Sequence, residues 1–187
     1  MVESAYACVA RDGIGRVTVE GVAREAGVAR ATVYRVFPGG RHEMVAATVS
    51  WAVGEFFAGL ALEIGPVDDA ATLLERGLVA GRRRLAEHEV LQHALQVEAD
   101  EVVPQLASVM PAVLAFLRRD LARRLETERL RPGVDPEEAA DVLSRLALSL
   151  IGTRGAWDLD DPAEVRRLVR GHLLAGVLAD PEGAPTV

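Results

Sequence analysis

The chain has 187 residues, half of them hydrophobic but only 4% aromatic, which is enough to bury a sizeable core. Ala, Leu and Val dominate, and without paired alternating runs or hairpin dipeptides this composition favours helices over sheets. A net charge of −7 excludes a generic nucleic-acid coat protein, and a single cysteine, Cys8, excludes an intrachain disulfide and fits a cytoplasmic setting. No apolar stretch approaches the roughly 20 uncharged residues of a membrane span, and no signal-peptide or lipidation pattern opens the chain, so no membrane partner is expected. The charge is unevenly spread: residues 1–50 carry +1 and the remainder −8, an acidic body behind a head with arginines at chosen places.

In chain order, a first helix is expected from the start to about Arg11, ended by Asp12-Gly13. Thr18 then stands where a helix N-cap hydroxyl belongs, and Val19, Val22, Ala23 and Ala26 recur at helical spacing as one buried face. Gly27 closes that helix, and Val28, Val33 and Phe37 pack the next one inward, leaving Arg30, Thr32, Tyr34 and Arg35 on other faces. Small, basic and hydroxyl side chains on a short second helix are what a DNA major groove accepts, so the unit reads as a helix-turn-helix. Pro38-Gly39-Gly40 precedes a long apolar helix from about His42 to Ile64. Helices follow near Ala70–Leu85 and Val90–Ala99. A short piece, Val102–Ser108, is expected between Pro104 and Pro111, with a separate amphipathic helix over Ala112–Arg129. Asp135-Pro136 and Asp161-Pro162 open the last two, which reach about Thr153 and Ala179; Asp180–Val187 reads as a frayed tail. The fold class is therefore all-α: a three-helix head, residues 1–45, on a helical-bundle body, residues 46–187.

The first 50 residues resemble the DNA-binding domain of the TetR family of bacterial repressors. A helix ending at Gly13, Thr18 before an apolar helix, Ala23-Arg24-Glu25-Ala26-Gly27-Val28, and Thr32-Val33-Tyr34-Arg35-Val36-Phe37 carry the resemblance. Ala29 and Ala31 depart from it, where relatives often have Ser and Gly. The resemblance implies a ligand-responsive repressor that binds a pseudo-palindromic double-stranded DNA operator as a homodimer, with no cofactor. It places Thr18, Thr32, Tyr34 and Arg41 at phosphate-contacting positions. Arg30 and Arg35 are the candidates for groove contacts, because Arg pairs bidentately with guanine. Trp51, Phe57, Leu95, Glu98, Met110 and Phe116 on the middle helices are the candidate effector-pocket residues, each also suited to plain core packing. For the dimer, the apolar faces of Ala139–Ile151 and of Val165, Leu168, Val169, Leu173 and Val177 exceed what one small body easily covers.

An enzyme is not expected. His88-Glu89-Val90-Leu91-Gln92-His93 is the best catalytic-looking string, but i,i+5 spacing turns its two rings roughly 140° apart on a helix, whereas a zinc protease needs i,i+4. His93 reads as a partly buried, satisfied histidine or a pocket donor. The acidic total leaves one alternative, a helical dimeric ligand-binding protein without DNA-binding activity.

Overall fold

The computed structural model describes residues 1–153 and 155–179; the expected frayed tail, residues 180–187, lies outside them. The elements are α1 (Val2–Asp12), α2 (Val19–Glu25), α3 (Arg30–Val36), α4 (Gly40–Ile64), α5 (Ala70–Glu87), α6 (Glu89–Val97), α7 (Ala99–Leu125), α8 (Pro136–Gly152) and α9 (Pro162–Leu168), continued by a π turn over Val169–Leu173. Among the described residues the β pairing is an isolated antiparallel bridge between Leu130 and Leu178. The chain divides into two compact units, residues 1–59 with 86–111, and residues 60–85 with 112–187.

Side chains at the helix starts set the boundaries. Thr18 accepts the Gly21 N–H, Asp135 the Glu138 N–H and Asp161 the Ala163 N–H, with Pro136 and Pro162 in the first turns of their helices. Each supplies an acceptor to a backbone donor that the helix itself leaves unpaired. His88 does the same for α6 through Nδ1, which accepts the Leu91 N–H at 3.2 Å. That role gives His88 a structural job. His93 is exposed, against the expectation of a partly buried or pocket-facing side chain.

The core of the first unit gathers Ala5, Cys8, Ile14, Val17, Val22, Val33, Phe37 and Met44, with Ala94 and Val102. Thus α6 and the start of α7 pack with the head. Cys8 is buried at its centre. The second unit has its own core, in which Leu74, Leu78, Leu121, Leu125, Leu143, Val165 and Val169 meet.

Four further expectations are corrected. The two expected segments on either side of Pro111 are one continuous helix, α7, with Pro104 and Pro111 inside it. Both prolines are exposed, as are Asp100 and Ala107 four residues before them. A seven-residue interval keeps the prolines on one face, and the carbonyls deprived of a helical donor are left on the water side. The last helix is α-helical only to Leu168. The π turn follows, and the Arg131 N–H to Val177 and Ala179 N–H to Arg129 carbonyl bonds take its end out of the helix; Gly171 and Gly176 weaken helix formation over the same stretch.

The third correction concerns the expected pairing surface. Val165, Leu168 and Val169 are 1%, 3% and 0% exposed within this chain's own body, so they do not form an open face. Val142 and Leu146 on α8 do remain exposed. Finally, α4 and α7 are each long and apolar enough to cross a membrane by length and composition alone, contrary to the expectation that no stretch comes near that length. Isolated charges do not offset so many apolar residues. Both helices nonetheless contribute to the cores, Met44 and Val45 from α4 and Leu121 and Leu125 from α7.

Candidate nucleic-acid interface

The first three helices build a helix-turn-helix from the inside out. Val22 and Val33 are fully buried and fix α2 against α3, and Gly27 between them has φ +65°, a left-handed backbone that glycine adopts without steric cost. With Val33 inward, helical geometry turns Arg30, Tyr34 and Arg35 outward, and all three are exposed.

On that outer face, Arg30 and Tyr34 form one assembly. Arg30 Nη2 donates to the Tyr34 hydroxyl at 3.2 Å, and the guanidinium carbon lies 5.3 Å from the ring centroid. Arg30 also pairs with Glu20 of α2 at 2.8 Å. The Tyr34 hydrogen bond, then the Glu20 charge, hold the guanidinium even more firmly protonated. Tyr34 is set from the other side by the α3–α4 turn, where Gly40 has φ +64° and a Cβ would sit 3.4 Å from the ring. Arg35 differs from its neighbour: among the described residues it makes no hydrogen bond or ion pair. Thr32 is half-buried in the first turn of α3, its backbone N–H donating to Ala29 at 2.8 Å.

The two remaining candidates are occupied by the fold. Thr18 spends its hydroxyl oxygen on the Gly21 N–H at 3.0 Å while staying at the surface. Arg41 reaches back from the first turn of α4 to the link between α1 and α2. It donates to the carbonyls of Ile14 at 2.7 Å, Gly15 at 3.1 Å and Val17 at 3.1 Å, and pairs with Glu101 at 3.1 Å.

Glu98, expected in an effector pocket, completes that link. Its carboxylate accepts the Ile14 N–H at 2.8 Å and the Gly15 N–H at 3.0 Å. Gly13 has φ +86°, and a Cβ there would stand 2.7 Å from Glu98 Oε1. Glycines at positions 13 and 15 thus let a carboxylate come up against the backbone, and Arg41 takes the carbonyls on the same segment. Sequence reasoning missed this arrangement. The Gly-Ile-Gly spacing signals a close approach, but nothing local indicates that the approaching group lies 84 residues downstream.

Of the other pocket candidates, Trp51, Phe57, Leu95 and Met110 lie in the first unit and Phe116 in the second. Trp51 packs edge-on to Tyr6 with centroids 5.3 Å apart, and Phe57 edge-on to Phe56 at 5.3 Å. Leu95 packs against the core of the first unit, and Met110 is half-buried. Phe116 belongs to the second unit and is 56% exposed.

Known proteins match both the head and the chain as a whole. Residues 2–48 match the family described as bacterial regulatory proteins, tetR family. Over 182 residues, 95% of this chain and 92% of the relative, the sequence is 28% identical to the uncharacterised HTH-type transcriptional regulator Mb2274c of Mycobacterium bovis. A transcriptional regulator of Cytophaga hutchinsonii shares the fold with a TM-score of 0.62 at 18% identity, over 95% of this chain and 96% of that one. SmeT, repressor of the Stenotrophomonas maltophilia multidrug efflux pump SmeDEF, shares it with a TM-score of 0.58 at 23% identity, over 100% of this chain and 92% of that one. A SmeT–triclosan complex gives the same TM-score at 24% identity, over 99% of this chain and 97% of that one.

Proposed function

We propose that this chain, whose residues 2–48 match the tetR family of bacterial regulatory proteins, is a homodimeric, ligand-responsive DNA-binding repressor acting in the cytoplasm without catalytic activity. The observation that carries the reading is the outward face of α3. Arg30 is oriented by Tyr34 and Glu20, and Arg35 is a charge with no partner among the described residues. A side chain held in place recognises a surface at lower entropic cost, and an unpartnered cation gains most from a phosphate or a guanine edge.

In this reading residues 1–45 form the DNA-binding domain and residues 46–187 the effector-binding and dimerisation domain. Two copies of α3 enter successive major grooves about 34–36 Å apart on a pseudo-palindromic operator. Tyr34, Thr32 and the surface hydroxyl of Thr18 set the register on phosphates, while Arg30 and Arg35 read the groove. The Arg41 guanidinium acts one step behind, by shaping the α1–α2 link. The exposed Val142 and Leu146 of α8 supply the apolar centre of the pairing surface. Trp51, Phe57, Leu95 and Met110 are proposed around the effector. SmeT, which shares the fold, has been described with triclosan, and a drug-sized organic effector is the corresponding proposal here.

An effector must prefer the DNA-incompetent form, and DNA must weaken effector binding by the same factor. Selection of bound fragments from a random DNA pool tests the reading directly. Recovery of a two-fold-related sequence, bound with an affinity that falls steeply with salt, is the expected result. In gel-shift titrations at fixed salt, Tyr34→Ala should weaken binding to all sequences and Arg30→Ala should change preference among them. Equal binding to every sequence, unaltered in both variants, would reject it.

A further inference from the structure

We infer that the second unit holds a separate binding cleft for a small organic carboxylate with an apolar tail. The cleft measures about 800 Å³ and opens among the end of α4, α5 and α9, a volume suited to a drug-sized molecule. None of the six pocket residues read from the sequence lines it. Ile64, Val79, Pro162 and Val165 give it an apolar wall. What makes it more than a dent is the way its charges are distributed.

Two carboxylates at the cleft are already matched twice over. Glu75, whose side chain is only 17% exposed, takes Arg170 at 2.8 Å and Arg166 at 3.8 Å. Glu63 takes Arg83 at 2.6 Å and Arg84 at 3.5 Å. Arg76, also in the lining, stands apart. Its Nη1 donates to the Ile64 carbonyl at 2.9 Å, and among the described residues no carboxylate pairs with it. The remaining donors of its planar fork have no protein acceptor among the described residues. Arg166, at 3.8 Å from Glu75, lies beyond hydrogen-bond distance and also has donors to spare.

The lining carries three guanidinium groups, Arg76, Arg166 and Arg170, against two carboxylates, Glu63 and Glu75, one positive charge in excess. A ligand carboxylate placed across the Arg76 fork, within reach of Arg166, would satisfy those donors bidentately. Its hydrocarbon part would lie on Ile64, Val79 and Val165, where leaving water is favourable. A cationic ligand would meet guanidinium groups and carboxylates that are already paired. A neutral one would leave the Arg76 fork unsatisfied. The chemistry therefore selects an anion.

The test is calorimetric titration of the full chain, without DNA, with sodium octanoate, 1-octanol and sodium chloride at constant ionic strength. Because no operator is involved, its outcome is independent of the DNA-binding reading. Octanoate should saturate one site per chain, with 1-octanol at least about tenfold weaker and chloride inert, the step expected for a charged hydrogen-bonded pair. Arg76→Gln should reduce octanoate affinity by about tenfold or more. Since Arg76 also holds the end of α4, Thr72→Glu serves as a second variant: it leaves that contact in place and adds a like charge to the cleft. It should abolish octanoate binding while retaining the thermal midpoint. Octanol binding as tightly as octanoate, or octanoate affinity unaltered in both cleft variants, overturns the inference.

Discussion

Arg35 and Thr32 on the outer face of α3, beside the paired Arg30 and Tyr34, and the α1–α2 link, residues 13–17, sit in the same compact unit yet handle polar groups in opposite ways. On α3, Arg35 has no partner among the described residues and Thr32 has no side-chain hydrogen bond. In the link, Ile14 and Gly15 give their N–H groups to Glu98, and the carbonyls of Ile14, Gly15 and Val17 receive Arg41. Arginines 35 and 41 look alike in a sequence, but one is available to a visitor and the other is consumed by the fold. What marks a recognition surface here is an unspent donor on a rigid, well-packed helix.

That contrast can be broken at either end. The largest effect on stability should come from Glu98→Ala, which strips two backbone donors of a charged acceptor and should cost about 2–3 kcal/mol in urea unfolding. A loss under about 0.5 kcal/mol would mean water replaces the carboxylate and the link is not held as described. Gly13→Ala comes next. A Cβ at φ +86° is strained and would also displace the Glu98 oxygen 2.7 Å away, at a cost of about 1–2 kcal/mol. Pairing it with Glu98→Ala in a double-mutant cycle should show non-additivity, since both changes remove the same contact.

Thr18→Ala sharpens the comparison from the side of α2. Loss of the cap should lower stability by about 1 kcal/mol, with Thr18→Asn restoring most of it. The smallest effect belongs to Arg35→Ala, which should leave stability within about 0.5 kcal/mol because nothing among the described residues depends on the guanidinium. In a filter-binding titration against salt, the same change should lower the slope by about one released counterion. If Arg35→Ala destabilises the protein while Glu98→Ala does not, the two regions have been assigned the wrong way round.

Local chemistry was readable in this chain and distant chemistry was not. The helix-turn-helix followed from Thr18, Gly27 and the burial of Val22, Val33 and Phe37, all within 20 consecutive residues. Aspartate–proline pairs marked α8 and α9 through their caps. Proline misled at α7, because its cost depends on which face it occupies, and that is a property of the assembled bundle. The apolar stripe of α9 was legible, but its burial against Leu74, Leu78, Leu121, Leu125 and Leu143 is decided by chain far away. Glu98 and Arg41 were assigned by resemblance to a ligand and to phosphate. Their partners in residues 13–17 are fixed by tertiary contact over 24 to 84 residues.

The lone thiol at the middle of the first core has a practical consequence. Cys8 is 1% exposed, so an aqueous disulfide reagent such as Ellman's can reach it only when the helices around it part. Because the chain has no second cysteine, the rate of colour development reports a single local event, the opening of the reading head. That rate, compared in the presence and absence of an oligonucleotide, measures how tightly the duplex clamps those helices shut.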